Sequence, residues 1–195
     1  MQLLRMFSTE SYKGTQNYLR TQKKYEIGRT VLYFGISLCL FIAGYIATKT
    51  RINLLTIVAI LGCLPASKSA VEMIMYLRFK SCSHEYCDKI NAHMDESMTG
   101  LYDMVFTTYD KNYQVDHLTV KGNTICGFSQ DKNFREQNFS KHITDTLKTD
   151  HFTDVSVKIF TDIDKYVNRL EQLKQLDNDT TNTAGIVNTL KSVSL

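Results

Sequence analysis

The stretch Thr30–Thr48, TVLYFGISLCLFIAGYIAT, is nineteen residues long and contains no charged side chain. At a rise of about 1.5 Å per residue, a helix of this length matches the roughly 30 Å hydrocarbon core of a bilayer. After a polar link at 49–51, a second apolar stretch runs from Ile52 to Leu77, interrupted by Lys68 and Glu72. The sequence therefore predicts a transmembrane helical hairpin with spans at 30–48 and 52–77.

The charge distribution predicts how this hairpin is oriented. Residues 1–79 carry ten Lys or Arg against three acids, whereas residues 80–195 carry thirteen against seventeen. Basic residues flanking membrane spans favour the cytoplasmic side. We therefore expect a multi-pass protein of the cell membrane, with the bilayer as its first partner and both termini in the cytoplasm. The basic leader 1–29 suits either a short helix at the lipid headgroups or a mobile segment.

Two details of the hairpin and the cysteines add further expectations. Lys68 and Glu72 are four residues apart, so on a helix they share a face and are expected to pair near the cytoplasmic end of the second span. The chain has five cysteines, an odd number, and two of them, Cys39 and Cys63, lie within the spans. This pattern indicates reduced thiols rather than a disulfide framework.

The remainder of the chain predicts one α/β domain at 78–176, followed at 177–195 by a linker and a short C-terminal helix that either docks on the domain or frays. The second span is expected to continue as helix through Asn91, because neither Pro nor Gly intervenes. Alternating apolar residues then predict a strand from Leu101, a β-hairpin at 113–120 and 124–130, and a strand at 155–159. Helices are predicted at 134–147 and 163–176. The strand–helix–strand order favours parallel pairing of the last two strands.

The hairpin carries the most informative residues of the domain, VDHLTV at 115–120 and TICGFSQDKN at 124–133. This pattern resembles the core of the nuclease-related domain (NERD) family, whose members are similar to restriction endonucleases of the PD-(D/E)xK type. The resemblance spans roughly residues 82–172. It implies a membrane-anchored α/β protein in which a restriction-endonuclease-like mixed sheet, flanked by helices, follows the transmembrane hairpin.

The resemblance also implies a site. Asp116, Gln130 and Lys132 would be the catalytic residues of a Mg²⁺-dependent phosphodiester hydrolysis of DNA or RNA, and Asp116, Gln130 and Glu85 would hold the metal. Mg²⁺ prefers hard oxygen ligands, and a lysine stabilises charge on the phosphate. However, Gln130 stands where the family has an acid, and an amide supplies only a neutral oxygen. The alternative is a non-catalytic membrane-anchored scaffold or protein-interaction module that retains the fold.

The length of the turn between the two hairpin strands decides whether this site can form. A three-residue turn at Lys121–Asn123 places Asp116, Gln130 and Lys132 on one face of the sheet. A two-residue turn, Gly122-Asn123, opposes Asp116 to Ser129 and moves Gln130 to the other face. The nuclease hypothesis requires the first register, or a bulge that restores it.

Charge and cysteine spacing bear on nucleic-acid and zinc binding. The net charge of −4 over residues 80–195 does not favour nucleic acid as a partner, although Lys121, Lys132, Arg135 and Lys141 could form a local basic patch. A protein partner or a second copy of the chain is the other option. Cys82 and Cys87 are not expected to hold zinc, because on one helix they would point about 140° apart.

Overall fold

The computed structural model describes residues 12–50, 53–176 and 181–195. The chain divides into two compact units. The described part of the first is residues 19–50 and 53–80, and that of the second is residues 12–18, 81–176 and 181–195.

The first unit is built from two long apolar helices, α1 (Tyr18–Thr48) and α2 (Leu54–Leu77). Both are long and apolar enough to cross a membrane, as judged by length and composition. Residues 18–29 were predicted to belong to a separate basic leader, but they form one unbroken helix with the first span. The rest of the leader, 1–11, and Arg51–Ile52 at the predicted start of the second span lie outside the described residues.

Small side chains let the two helices approach closely. Ala59, Gly62, Ala66 and Ser69 follow one another at intervals of three and four residues, so they share one face of α2. A Cβ at Gly62 would lie 2.7 Å from the hydroxyl oxygen of Ser37 on α1. In lipid the hydrophobic effect does not drive helices together, and small residues at such a face allow the two backbones to pack closely instead.

A polar network joins the helices where α1 begins and α2 ends. The Arg29 guanidinium donates to the carboxylates of Glu26 and Glu72, and the hydroxyls of Thr30 and Ser69 lie 2.8 Å apart. Lys68 is 81% exposed and its Nζ is 4.0 Å from Glu72. The expected Lys68–Glu72 pair is therefore a loose contact, and the main partner of Glu72 is on the other helix.

The second unit is an α/β domain with a mixed four-stranded sheet. Its elements in chain order are α3 (His84–Asn91), β1 (Thr99–Thr107), β2 (Asn112–Lys121), β3 (Thr124–Phe128), α4 (Glu136–Thr149), β4 (Ser156–Phe160), α5 (Ile163–Gln175) and α6 (Thr183–Val193). The strands lie in the order β1-β2-β3-β4, and only the β3–β4 pair is parallel. The predicted parallel crossover through α4 is confirmed.

The predicted continuous helix from the second span through Asn91 is wrong. Residues 78–83 separate α2 from α3 and are not helical. Ser83 occupies the N-cap of α3 in an extended conformation, and its side chain accepts a hydrogen bond from the backbone N–H of Tyr86. A serine in this position satisfies a donor that would otherwise be unpaired, so it starts a new helix where the apolar pattern suggested continuation.

Apolar cores cover both faces of the sheet. One packs α4 and α6 against it through residues such as Phe139, Ile143 and Leu190. The other packs α3 and α5 through residues such as Ile90, Tyr166 and Leu170. The C-terminal helix α6 therefore docks on the domain, which was one of its two predicted behaviours. Of the linker predicted before it, residues 177–180 lie outside the described part.

Both described ends of this unit cover the free edge of β1. The backbone N–H of Tyr102 donates to the carbonyl of Gly14, and the N–H of Leu195 donates to the carbonyl of Val105, each at 2.8 Å. Unpaired strand edges invite pairing with other chains. The edge of β1 is protected by segments that are more than eighty residues away in sequence.

Candidate functional site

Asp116 lies in the middle of β2 and is almost completely buried, with 2% of its surface exposed. One carboxylate oxygen accepts a hydrogen bond from the backbone N–H of Gln130 at 2.7 Å. The other accepts from the side-chain amide of Gln114 at 2.9 Å. The structure thus brings the predicted residues Asp116 and Gln130 together, and the carboxylate is engaged by groups of the domain itself.

The strand register is the second of the two alternatives derived from the sequence. Lys121 pairs with Thr124 and His117 with Phe128, so the turn consists of Gly122 and Asn123. Gly122 has a φ of +56°, a conformation that glycine adopts without steric cost. Under strict alternation, this register would separate Asp116 from Gln130.

The alternation of side chains along β1 and β2 is broken next to Asp116. Leu101 and Met104 of β1 belong to one core cluster, as do Val115 and Leu118 of β2. Each pair is three residues apart, whereas side chains on one face of a regular strand are two or four apart. The register itself is unchanged across the break, since Tyr102 pairs with His117 and Met104 with Val115. The break does not restore the first register, in which Asp116, Gln130 and Lys132 would share a face, and Gln130 meets Asp116 through its backbone N–H.

Asp103 lies at the same break, between Tyr102 and Met104, which pair with His117 and Val115 on either side of Asp116, and sequence reasoning missed it. It has a φ of +55° and is buried, and its carboxylate accepts a hydrogen bond from the backbone N–H of Cys82 at 2.9 Å. The signal that could have revealed it is the matched three-residue interval in two neighbouring strands. Strict alternation would have placed Asp103 on the face of Leu101, where a carboxylate would be unexpected.

Burial dominates the electrostatics of Asp116. It raises the pKa of this carboxyl from its ordinary 3.8 to about 6, and the charge of Asp103 adds to the rise. The hydrogen bonds from Gln130 and Gln114 act in the opposite direction. Asp116 therefore titrates close to neutral pH, because removal from water penalises its charged form more than two hydrogen bonds favour it.

The other predicted site residues do not join this pair. Lys132 and Glu85 are both exposed, the first in the turn after β3 and the second in the first turn of α3. The turn is held by hydrogen bonds from Ser129 Oγ to the carbonyl of Gln114, at 2.7 Å, and from the N–H of Asn133 to Asp131, at 2.9 Å. These bonds fix the backbone around Lys132 and leave its side chain in solvent.

The donor set does not fit Mg²⁺ as it is arranged. Mg²⁺ needs octahedral oxygen ligands and keeps several waters, whereas Asp116 is buried and both of its oxygens accept internal hydrogen bonds. Across residues 12–50, 53–176 and 181–195, no group of three or more His, Cys, Asp or Glu side chains is placed to hold a metal ion. We therefore derive no reaction step through a metal.

His117, next to Asp116, belongs to a separate buried network. Its Nδ1 lies 2.6 Å from the Tyr166 hydroxyl, which in turn is 2.8 Å from the Thr119 hydroxyl. Burial lowers the pKa of His117 to about 3, so the imidazole is neutral at physiological pH. The Asp-His pair of the motif thus splits between two environments, and the histidine joins the sheet to α5.

The suggested basic patch loses one of its members. Lys121 is buried, and its Nζ donates to the carbonyls of Leu173 and Lys174 at the end of α5, at 2.9 and 3.4 Å. Arg135 lies 3.9 Å from the Asp110 carboxylate. Lysine near a helix C-terminus complements the helix dipole and its unpaired carbonyls, so the role of Lys121 is structural.

Comparison of the chain with protein-family models, with curated proteins and with solved structures finds no match. The functional assignment therefore depends on the geometry of this molecule.

Proposed function

We propose that this protein is a membrane-anchored, non-catalytic scaffold whose α/β domain retains a nuclease-like layout and serves as a protein-interaction module. The observation that carries the proposal is the state of Asp116. A catalytic metal ligand must present oxygens to the ion and lie beside the substrate phosphate, but both Asp116 oxygens accept hydrogen bonds from within the domain. Asp116 has become part of the β2–β3 junction.

The layout of the second unit supports the nuclease-like part of the proposal. A helix, three antiparallel strands, a crossover helix and a fourth, parallel strand follow one another in that order. The resemblance to the NERD family implied a mixed sheet flanked by helices, and this order of elements is compatible with it, with Asp116 on the second strand and Gln130 just after the third. Fold alone does not imply activity, and the neutral Gln130 and exposed Lys132 weigh against it.

The first unit supports the anchor. Apolar side chains such as Val31, Ile46 and Leu64 are between 66% and 70% exposed along α1 and α2. Faces of this kind are costly in water and favourable in lipid. Together with the basic residues that flank the spans, they support a hairpin anchor in the cell membrane with both termini in the cytoplasm.

The rival function is Mg²⁺-dependent hydrolysis of DNA or RNA. One observation favours it, because a second buried carboxylate, that of Asp103, lies at the break in the sheet and acts electrostatically on Asp116. For this function Asp116 would have to exchange its internal hydrogen bonds for a metal ion. The two functions therefore differ in what they require of Asp116 and Lys132.

A cleavage assay separates them. We expect the purified full chain, incubated with labelled DNA or RNA and Mg²⁺ or Mn²⁺, to give no more product than a metal-free sample. Lys132→Ala is the cleanest control, because the side chain is exposed and its loss should leave the fold intact. Cleavage that depends on metal and is lost in both Lys132→Ala and Asp116→Asn would establish the nuclease and overturn the scaffold.

The proposed topology is tested by labelling Tyr109→Cys with a membrane-impermeant maleimide. Tyr109 is fully exposed at the β1–β2 turn, whereas Cys82, Cys87 and Cys126 are buried and report poorly. We expect labelling above the wild-type level only after the cells are permeabilised, because the domain is placed in the cytoplasm. Equal labelling in intact cells would place the domain outside and reverse the hairpin.

A further inference from the structure

Cys82 and Cys87 come together at the start of α3, contrary to the expectation that they point apart on one helix. Cys82 lies ahead of the helix, immediately before the N-cap Ser83, and Cys87 is the fourth residue after that cap. Side chains at these two positions commonly pack against each other and fix the angle at which the chain enters a helix. Here both members of that pair are buried cysteines, and burial, followed by the neighbouring Cys87 thiol, raises the pKa of the Cys82 thiol.

Backbone hydrogen bonds fix the positions of both cysteines. The backbone N–H of Cys82 donates to Asp103 on β1 at 2.9 Å, and the N–H of Cys87 donates to the carbonyl of Ser83 at 3.0 Å. Both cysteines are buried, with 6% and 2% of their surfaces exposed. Holding the two cysteines at fixed neighbouring positions lowers the entropic cost of joining them.

We propose that Cys82 and Cys87 form an oxidation site, a dithiol that closes to an intramolecular disulfide. A small-molecule disulfide such as oxidised glutathione is the oxidant. The Cys82 thiolate attacks it, forming a mixed disulfide and releasing one reduced glutathione. Cys87 then attacks the Cys82 sulfur and releases the second, so the two hydrogens lost by the protein end on two glutathione thiols.

Cys82 is the thiol that reacts first in this scheme because of its position. It is the more exposed of the two and lies in the non-helical segment 78–83, whereas Cys87 is within α3. Burial raises the pKa of the Cys82 thiol, which slows exchange. The closed disulfide would tie the entry to α3 covalently, next to the hydrogen bond that already joins Cys82 to β1.

The test is the equilibrium between dithiol and disulfide in the full chain in detergent micelles. Two samples, one reduced and one oxidised in urea and then refolded, are brought to equilibrium with fixed ratios of oxidised to reduced glutathione. Because the reduced and the oxidised sample approach equilibrium from opposite directions, equal final ratios of dithiol to disulfide show that equilibrium has been reached even if exchange is slow. After acid quenching and alkylation, trypsin releases residues 81–89 as one peptide that contains both cysteines, and the disulfide form lacks both alkyl groups.

We expect both samples to converge, with an equilibrium constant for the disulfide at least about tenfold larger in the folded chain than in urea, because folding holds the two cysteines at neighbouring positions. Cys126, a buried cysteine on β3, should stay alkylated in the same digest. In Cys87→Ser, glutathione should remain attached to Cys82, since the second thiol is missing. A folded-state constant equal to or below that in urea would overturn the proposal, as would disulfides that join Cys126 or separate chains instead.

Discussion

Asp116→Asn should increase the stability of the α/β domain at pH 7 by roughly 1–3 kcal/mol, because the wild-type carboxylate is ionised in a site that disfavours its charge. The pKa of Asp116 is raised from 3.8 to about 6 by burial, with Asp103 contributing. Between these values the folded chain binds more protons than the unfolded one, so stability falls as pH rises. An asparagine keeps the acceptor for the Gln130 N–H, and the Gln114 amide can turn its oxygen to the new NH₂ group.

The measurement is pulse proteolysis of the full chain in urea and detergent micelles, between pH 4.5 and 8. The wild-type and variant curves should differ most above pH 6 and approach each other towards pH 4. If Asp116 instead serves as a metal ligand, the wild-type domain should gain stability on addition of Mg²⁺ and the asparagine variant should not. An asparagine variant less stable than wild type at pH 7 would mean that the Asp116 charge stabilises the domain.

His117 supplies a matched control with the opposite sign. Burial lowers its pKa from 6.5 to about 3, so the unfolded chain binds more protons between these values and stability is lost as the pH falls. In the wild-type chain, this loss of stability at falling pH offsets the gain of stability that comes from protonating Asp116. Asp116→Asn should therefore become less stable from pH 6.5 to 4.5, whereas His117→Gln should become more stable over the same interval, whatever its stability at pH 7.

The fold was largely predictable, because its elements follow local patterns. The place of the β2–β3 turn at Gly122, though not its length, and the stripe at Val167, Leu170 and Leu173 follow from neighbours in sequence. The boundary between α2 and α3 was missed although Ser83 signals it. A serine can cap a new helix only if the preceding helix has already ended. Apolar residues before and after Ser83 continue the helical spacing, so the end of α2 could not be recognised.

The candidate site was less predictable, because it depends on contacts between distant strands. Asp116 and Gln130 were paired on the strength of the resemblance, but they meet through the backbone N–H of Gln130, and Asp103 was not part of the motif. Likewise, the proximity of Cys82 and Cys87 depends on where α3 begins. If the helix already included Cys82, the two side chains would point about 140° apart. The interaction of Arg29 with Glu72 joins residues 43 positions apart, and no local pattern specifies it.

Lys121 shows most directly how a tertiary contact changes the meaning of a residue. In the sequence it is one lysine beside a turn, and its charge suggested a surface that binds phosphate. In the structure it is 5% exposed, its stem passes through the domain, and its ammonium group binds the last carbonyls of α5, 52 residues away. A buried charge is costly unless it is paired, and here the dipole and unpaired carbonyls of a helix end stabilise it.

Lys121→Met should accordingly lower the stability of the domain by about 1–3 kcal/mol, since it keeps the aliphatic stem but leaves the α5 carbonyls without donors. Hydrogen exchange should locate the effect, with faster exchange in the last turn of α5 than in α4. Lys132→Ala, which removes an exposed lysine eleven residues further on, should change stability by less than about 0.5 kcal/mol. If the two variants proved equally stable, Lys121 would be one more solvated cation, and the suggested basic patch would regain a member.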